Sequence, residues 1–183
     1  MGNESSKAVE TSLDYNSDAE QTKNFFAHVQ NKLHFAITKK TAAEIIYTRA
    51  NADKSHMGLT NWKKAPSGKI QKSDVVIAKN YLNKEEMTGL NRIVEMYVLY
   101  AIDQAKRQIP MMMRDWEQKL GAFLQFNERD LLMNLGNISA EVAKEFAEAE
   151  FAKYKPKQDT IFQSDFDKFL QEADKQSIKT SKN

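Results

Sequence analysis

No cysteine occurs anywhere in this 183-residue chain, so disulfides and thiolate metal sites are excluded and the usual framework of a small secreted domain is missing. A reducing cytoplasm is the expected location. Glycine and proline are scarce as well, with six and three residues, too few to turn the many corners of a β-sandwich or barrel. Long apolar runs are also lacking. Nothing approaches the ~20 consecutive apolar residues that span a bilayer, and the N-terminal MGNESSKAVETSLDYNSDAEQ has no apolar centre to serve as a signal peptide. No membrane association is expected. Nor does any window carry the Gly-rich spacing of a Walker or dinucleotide loop, which removes two familiar phosphate cradles.

What the chain has instead is a surplus of Ala, Leu, Lys, Glu, Gln and Met, the straight-chain helix formers, together with 41% hydrophobic residues, enough for one core. The reading is a single all-α domain of six to eight helices over residues 16–173, with a flexible lead-in at 1–15 and a disordered basic tail at 174–183. Ser17 and Glu20 have capping-box spacing, and Phe26, Val29, Leu33 and Ile37 recur at helical spacing behind them. Thr41 and Glu44 repeat the box and open a second helix to about Ala50. Residues 51–71 lose the periodicity. Met57, Leu59 and Trp62 anchor this long loop, and Pro66-Ser67-Gly68 makes an exposed turn with room for a short two-stranded ribbon. Ser73 is read as the cap of a short helix, Asp74 to Leu82. Asn83 to Glu86 then open the longest and central helix, to about Arg107, on a wide stripe of Met87, Leu90, Ile93, Val94, Tyr97, Val98, Ala101, Ile102 and Ala105. Ile109-Pro110 ends it. Further helices are read at Arg114–Phe126, as a short turn at Leu131 and Leu132, and from Ser139 to Tyr154 with Val142, Phe146 and Phe151 inward. Pro156 is expected to separate the last of these from a segment carrying Phe162, Phe166, Phe169 and Leu170.

The net charge is only +2, yet the charges are segregated. Lys32 to Lys79 holds ten basic residues against three acidic ones, a balance of +7, whereas Glu141 to Asp174 holds nine acidic residues against five lysines, a balance of −4. Such asymmetry suits an anionic partner for the basic part, or simply a solvated lysine surface. His28 and His34 lie six positions apart on one helix and project to different sides, so they cannot chelate as an i, i+4 pair does. No metal and no cofactor is expected. Glu85 and Glu86, or Glu148 and Glu150, stand where helix starts and solvated faces want acids, which argues against a catalytic pair. Thr41, Glu44 and Asp74 are explained by capping. Lys32, Arg49, Lys79 and Asn80 are not, and with Lys63 and Lys64 on the loop they form the candidate surface for nucleic acid or another anion. No catalytic residue is assigned.

The runs FFAHVQNKLHFAIT, KTAAEIIYTRANADKSHMGLT, IQKSDVVIAKNYLNKEE, LNRIVEMYVLYAIDQA, IPMMMRDWEQKLGAFLQFNE and GNISAEVAKEFAEAEFAKY, in this order, resemble the C-terminal region of the bacterial RhuM family of virulence-associated proteins, over about Tyr15 to Leu170. The resemblance implies that full-length members carry in front of this region a domain similar to phage antirepressor and DNA-binding modules, so the chain reads as a fragment, an interrupted gene or a stand-alone C-terminal module. It also implies a bacterial, mobile-element context, and it supplies no catalytic residues. Two functions follow. The favoured one is a non-enzymatic regulatory or interaction module that meets DNA, RNA or a protein partner. The alternative is a toxin-like or nucleic-acid-processing enzyme with a cleft under the 51–71 loop, for which Glu44, Asp74, Lys79 and Arg49 should converge.

Overall fold

The computed structural model describes residue 14 and residues 20–180, with side chains described as far as residue 162 except at residue 21. The fold is all-helical. Its α-helices are α1 (Glu20–Thr38), α2 (Ala42–Arg49), α3 (Lys84–Lys106), α4 (Met113–Phe126) and α5 (Ala140–Thr180), joined by 3-10 turns at Ser55–Gly58 and Ala78–Tyr81. Five α-helices are therefore found among the described residues, where the sequence suggested six to eight. The proposed Ser17 cap and the inward packing of Phe166, Phe169 and Leu170 lie outside the described residues, as does all of the lead-in except residue 14.

Capping chemistry sets two of the helix starts as the sequence indicates. The Thr41 hydroxyl accepts from the Glu44 N–H while the Glu44 carboxylate accepts from the Thr41 N–H, and Asn83 and Glu86 do the same at the head of α3. Each box satisfies donors that a bare helix end leaves unpaired. Arg107 to Gln108 closes α3, with Gln108 at φ +54. The core takes Phe25, Leu33 and Ala36 from α1, Ile45 and Ile46 from α2, Met57, Leu59 and Trp62 from the long loop, and Trp116, Leu120 and Leu124 from α4. From α3 it takes Leu90, Ile93, Tyr97 and Ala101, while Ile102 and Ala105 face solvent. The buried stripe is thus narrower than the sequence stripe. Helix α1 packs on α2, α3 and α4, and α2 packs on α5 and on the Ala78–Tyr81 turn. The first two helices share the hub position that the stripe had assigned to α3.

Four expectations are corrected by identifiable bonds. The 74–82 segment is not an α-helix: the Asp74 carbonyl takes the Asn80 side-chain amide and the Val75 carbonyl takes the Tyr81 hydroxyl, so two acceptors of an α-helical ladder are used by side chains and only the Ala78–Tyr81 turn forms. No ribbon flanks the Pro66 turn, and no strand occurs among the described residues. The backbone donors a ladder would need go to side chains, Lys63 and Gln71 to the Asp74 carboxylate and Ile70 to Gln158. No helical turn carries Leu131 and Leu132, because that stretch is held between two fixed ends described below. Finally, Pro156 does not stop α5, which at 41 residues is longer than the 23-residue α3 and continues past Lys175, where the sequence reading places a tail. Proline forfeits one ladder bond, a cost of about 3 kcal/mol in a helix interior, and here Glu150, Lys157 and Gln158 tie the helix to the long loop on both sides of it. On α5 the core residues are Ala143, Ala147 and Tyr154, with Phe146 and Phe151 half-buried and Val142 exposed.

Candidate functional site

The connection from α4 to α5, residues 127–139, has no helical ladder of its own and is positioned by its ends. At one end Asp130 pairs with Lys39 at the α1–α2 corner. At the other, the backbone and side-chain amides of Asn137 donate to the Glu44 carboxylate at 2.8 and 3.2 Å. Burial alone would raise the Glu44 carboxyl, but the N–H donors of Asn137 and Thr41 outweigh it and hold the group below the usual carboxylate range. Gly136, at φ +83, lies so close to Thr41 that an added Cβ would meet its Cγ2 at 2.7 Å. A side chain cannot be placed there without displacing the α2 cap.

Between these fastenings the connection keeps large apolar groups in water. Met133 is 87% exposed and Leu135 77%. Below them lies a hollow of about 340 Å³ lined by His28, Asn31 and Lys32 of α1, Glu117 of α4, and Leu132 to Leu135. The spacing i, i+3, i+4 puts the three α1 residues on one helix face. Lys32 Nζ donates to Glu117 Oε1 at 2.8 Å, and His28 Nδ1 stands 3.9 Å from the same oxygen. Two amides complete the lining, each oriented by a backbone donor: Ala42 N–H donates to Asn31 Oδ1 at 3.1 Å and Gly136 N–H to Asn134 Oδ1 at 2.9 Å.

Arg49 and Asn80 among the sequence candidates are committed elsewhere. Arg49 donates to both Glu86 oxygens at 2.6 Å and to the Tyr81 carbonyl at 2.8 Å, fastening the end of α2 to the start of α3. Asn80 is buried, and its carbonyl takes the Thr60 N–H, the Thr60 hydroxyl and the Asn61 N–H. Lys79 is half-buried, and its charge is felt by the imidazole of His34. Burial first, and then Lys79, push that buried histidine down to about 4. Lys32 belongs to the hollow. Lys63 and Lys64 are exposed. The four residues whose convergence would mark an enzyme are dispersed over separate partners: Glu44 with Asn137, Asp74 with Lys63 and Gln71, Arg49 with Glu86, and Lys79 near His34. Among the described residues, no group of three or more His, Asp or Glu side chains is placed to hold a metal ion, and no helix is long and apolar enough to cross a membrane.

The basic loop finds acids within its own chain. Lys69 pairs with Asp159 at 2.7 Å, Lys72 with Glu148 at 3.0 Å, and Lys157 reaches back to Asp53 at 2.7 Å. Bonds to the loop backbone set the register: the neutral Gln158 side chain accepts from Ile70 N–H at 2.8 Å and donates to the Ile70 carbonyl at 3.1 Å, and the Glu150 carboxylate accepts from Ala52 N–H at 2.7 Å. Sequence reasoning missed Glu117, Asn134, Met133 and Leu135. The available signal was the apolar cluster Leu131, Leu132, Met133 and Leu135 between two helices, too short to form a helical face of its own.

A model of the Virulence protein RhuM family matches residues 7–163. No curated protein and no solved structure matches the chain. Since the matched span takes in α1 to α4, both 3-10 turns and the part of α5 that fastens the long loop, the protein belongs to the Virulence protein RhuM family.

Proposed function

We propose that this chain acts as a non-enzymatic interaction module of a RhuM-family regulatory protein, and that its contact is with a protein. The observation that carries this reading is the apolar pair Met133 and Leu135, held out by a connection fastened at Asp130 and Asn137 and set at the lip of a preformed hollow. Apolar groups kept in water at a fixed position sacrifice burial, at roughly 25 cal/mol per Å², and a fixed rim lowers the ordering cost of binding. An apolar anchor beside a pocket is the usual centre of a protein interface.

Contact with nucleic acid is the second reading, supported by Lys54, Lys63 and Lys64. All three are exposed on the long loop, and their side chains make no hydrogen bond or ion pair among the described residues. The two readings are separated by placing a photo-crosslinking amino acid at Met133 or Leu135, with Arg92 as control, in cells that express the protein, and by titrating duplex DNA at two salt concentrations. Discrete protein adducts from the first two positions support the interaction module. No adducts, together with salt-dependent duplex binding that falls in a Lys54/Lys63/Lys64 triple alanine variant, supports the nucleic-acid surface.

A further inference from the structure

The hollow beside Met133 has a donor-rich lining whose polarity is fixed by the backbone. Because the N–H groups of Ala42 and Gly136 can only donate, the atoms they meet on Asn31 and Asn134 must be the amide oxygens, and the amide flip that usually clouds such side chains is settled. Each amide is thereby left with its NH2 as the free end, and neither NH2 has a partner among the described residues. Lys32 adds an ammonium group and His28 a ring nitrogen. Glu117 is the single charged acceptor, and one of its oxygens is already taken by Lys32. A hollow that offers donors and presents apolar Leu132, Met133 and Leu135 at its lip suits a ligand with acceptor oxygens at one end and a hydrocarbon group next to them.

We propose that the hollow seats the C-terminal carboxylate of a partner polypeptide ending in an apolar residue. Lys32 and the NH2 groups of Asn31 and Asn134 receive the carboxylate, and Leu132 and Met133 receive the last side chain. The volume, about 340 Å³, is at the small end of ligand sites and holds one terminal residue, while exposed Leu135 at its lip extends the apolar surface outward, which a free carboxylic acid would not reach. Capture of a terminal carboxylate by convergent donors is a recurring mode of peptide recognition. Binding shifts Lys32 from Glu117 to the ligand, and the part-exposed Lys32–Glu117 pair opposes this only weakly. The proposal rests on the interaction reading above and narrows it.

The test is fluorescence polarisation with a labelled pentapeptide pool, degenerate except for a C-terminal leucine, prepared as the free acid and as the amide. Expected is binding of the acid pool at least about ten-fold tighter than the amide pool, as a charge-assisted hydrogen-bonded contact gives. Asn31→Asp and Asn134→Asp keep the oxygen that receives the backbone N–H but replace the free NH2 with an anion, so each weakens the acid pool with the fold intact by circular dichroism. Glu117→Gln removes the competing anion and tightens it. That opposite sign guards against reading a misfolded variant as a lost site. Equal binding of acid and amide pools overturns the carboxylate site while the crosslinking result still decides the interaction reading, and absence of binding by either pool overturns it as well. Displacement by N-acetyl-leucine at the affinity of the pool, with Leu135→Ser neutral, overturns the assignment to a polypeptide.

Discussion

Replacing Arg49 by methionine tests whether the most basic of the sequence candidates faces a partner or holds the fold. The guanidinium spans the end of α2, the Tyr81 carbonyl and the Glu86 carboxylate, with two bonds of 2.6 Å and one of 2.8 Å. Its side chain is 26% exposed and that of Glu86 18%, between a surface pair, worth about 0–1 kcal/mol, and a buried one, whose breakage costs about 3–5 kcal/mol. Methionine keeps the apolar stem and leaves a half-buried carboxylate and a carbonyl without their donor, so a loss of about 2–3 kcal/mol is expected. At about 2–4 °C per kcal/mol for a domain of this size, Tm falls by roughly 5–10 °C. Lysine does not restore it, because one ammonium cannot serve two carboxylate oxygens and a carbonyl in a fixed fork. A double-mutant cycle with Glu86→Gln isolates the pair. The pH dependence gives a further check. The bond to Arg49, chiefly, holds the Glu86 carboxyl below its usual 4.5. Its contribution is therefore present above that value and lost as pH falls through the depressed one, so the penalty of Arg49→Met shrinks in acid. A Tm within 1 °C of wild type at neutral pH, in that variant and in Arg49→Lys, would refute the clamp and return Arg49 to the surface available for partners.

His34 gives a pH effect in the same direction by a different route: the unfolded chain takes up its proton near 6.5 and the folded chain only near 4, so stability falls as pH drops through that window, by about 3 kcal/mol in all, and His34→Gln flattens the denaturation profile there. Alanine substitution at three glycines should separate into two signs in thermal melts. At Gly58 the added Cβ would lie 2.4 Å from the Arg49 carbonyl oxygen at φ +80, and at Gly136 2.7 Å from Thr41, so both destabilise, whereas Gly121 has nothing within 4 Å and gains roughly 0.5–1 kcal/mol as a helix-interior glycine replaced by alanine. Gln158→Leu orphans the N–H and carbonyl of Ile70 and should cost about 2–4 kcal/mol, with the largest gain in hydrogen exchange at the Ile70 amide.

Helix starts were legible because their determinants are local: the Thr41/Glu44 and Asn83/Glu86 boxes need only four consecutive residues. Positions at which a distant group decides the outcome were not legible. Asp74 reads as a helix cap, yet its carboxylate is taken by Lys63 and Gln71. Pro156 reads as a stop, yet contacts with loop residues 88 or more positions away in sequence, Ala52 and Ile70, hold the helix together across it. The wide stripe of α3 overstated its burial because apolar residues mark capacity for burial, and Ile102 and Ala105 remain exposed. Of the candidate site, Lys32 was found in sequence and its setting was not. The hollow exists only once α1, α4 and the 131–135 stretch are brought together, and Glu117, 85 positions from Lys32, has no local mark.

The segregation of charge along the chain has a different meaning in the fold from the one it suggests in sequence. A basic segment and an acidic one can imply an outside anion for the first, but here the two meet, Lys69 on Asp159 and Lys72 on Glu148. Whether that contact is a fastening or a releasable latch depends on which bonds carry it. Exposed ion pairs contribute little singly and are screened once salt shortens the Debye length to about 3 Å at 1 M. A latch built on them alone would open. The loop is also held by the buried Gln158 amide on both polar groups of Ile70 and by Glu150 on the Ala52 N–H. The Gln158 bonds are neutral and shielded from salt, and they fix the register in which the lysines then find their acids. The loop is accordingly a fixture of the domain: Lys69 and Lys72 are spent inside the chain, while Lys54, Lys63 and Lys64 stay exposed on a backbone that is held in place.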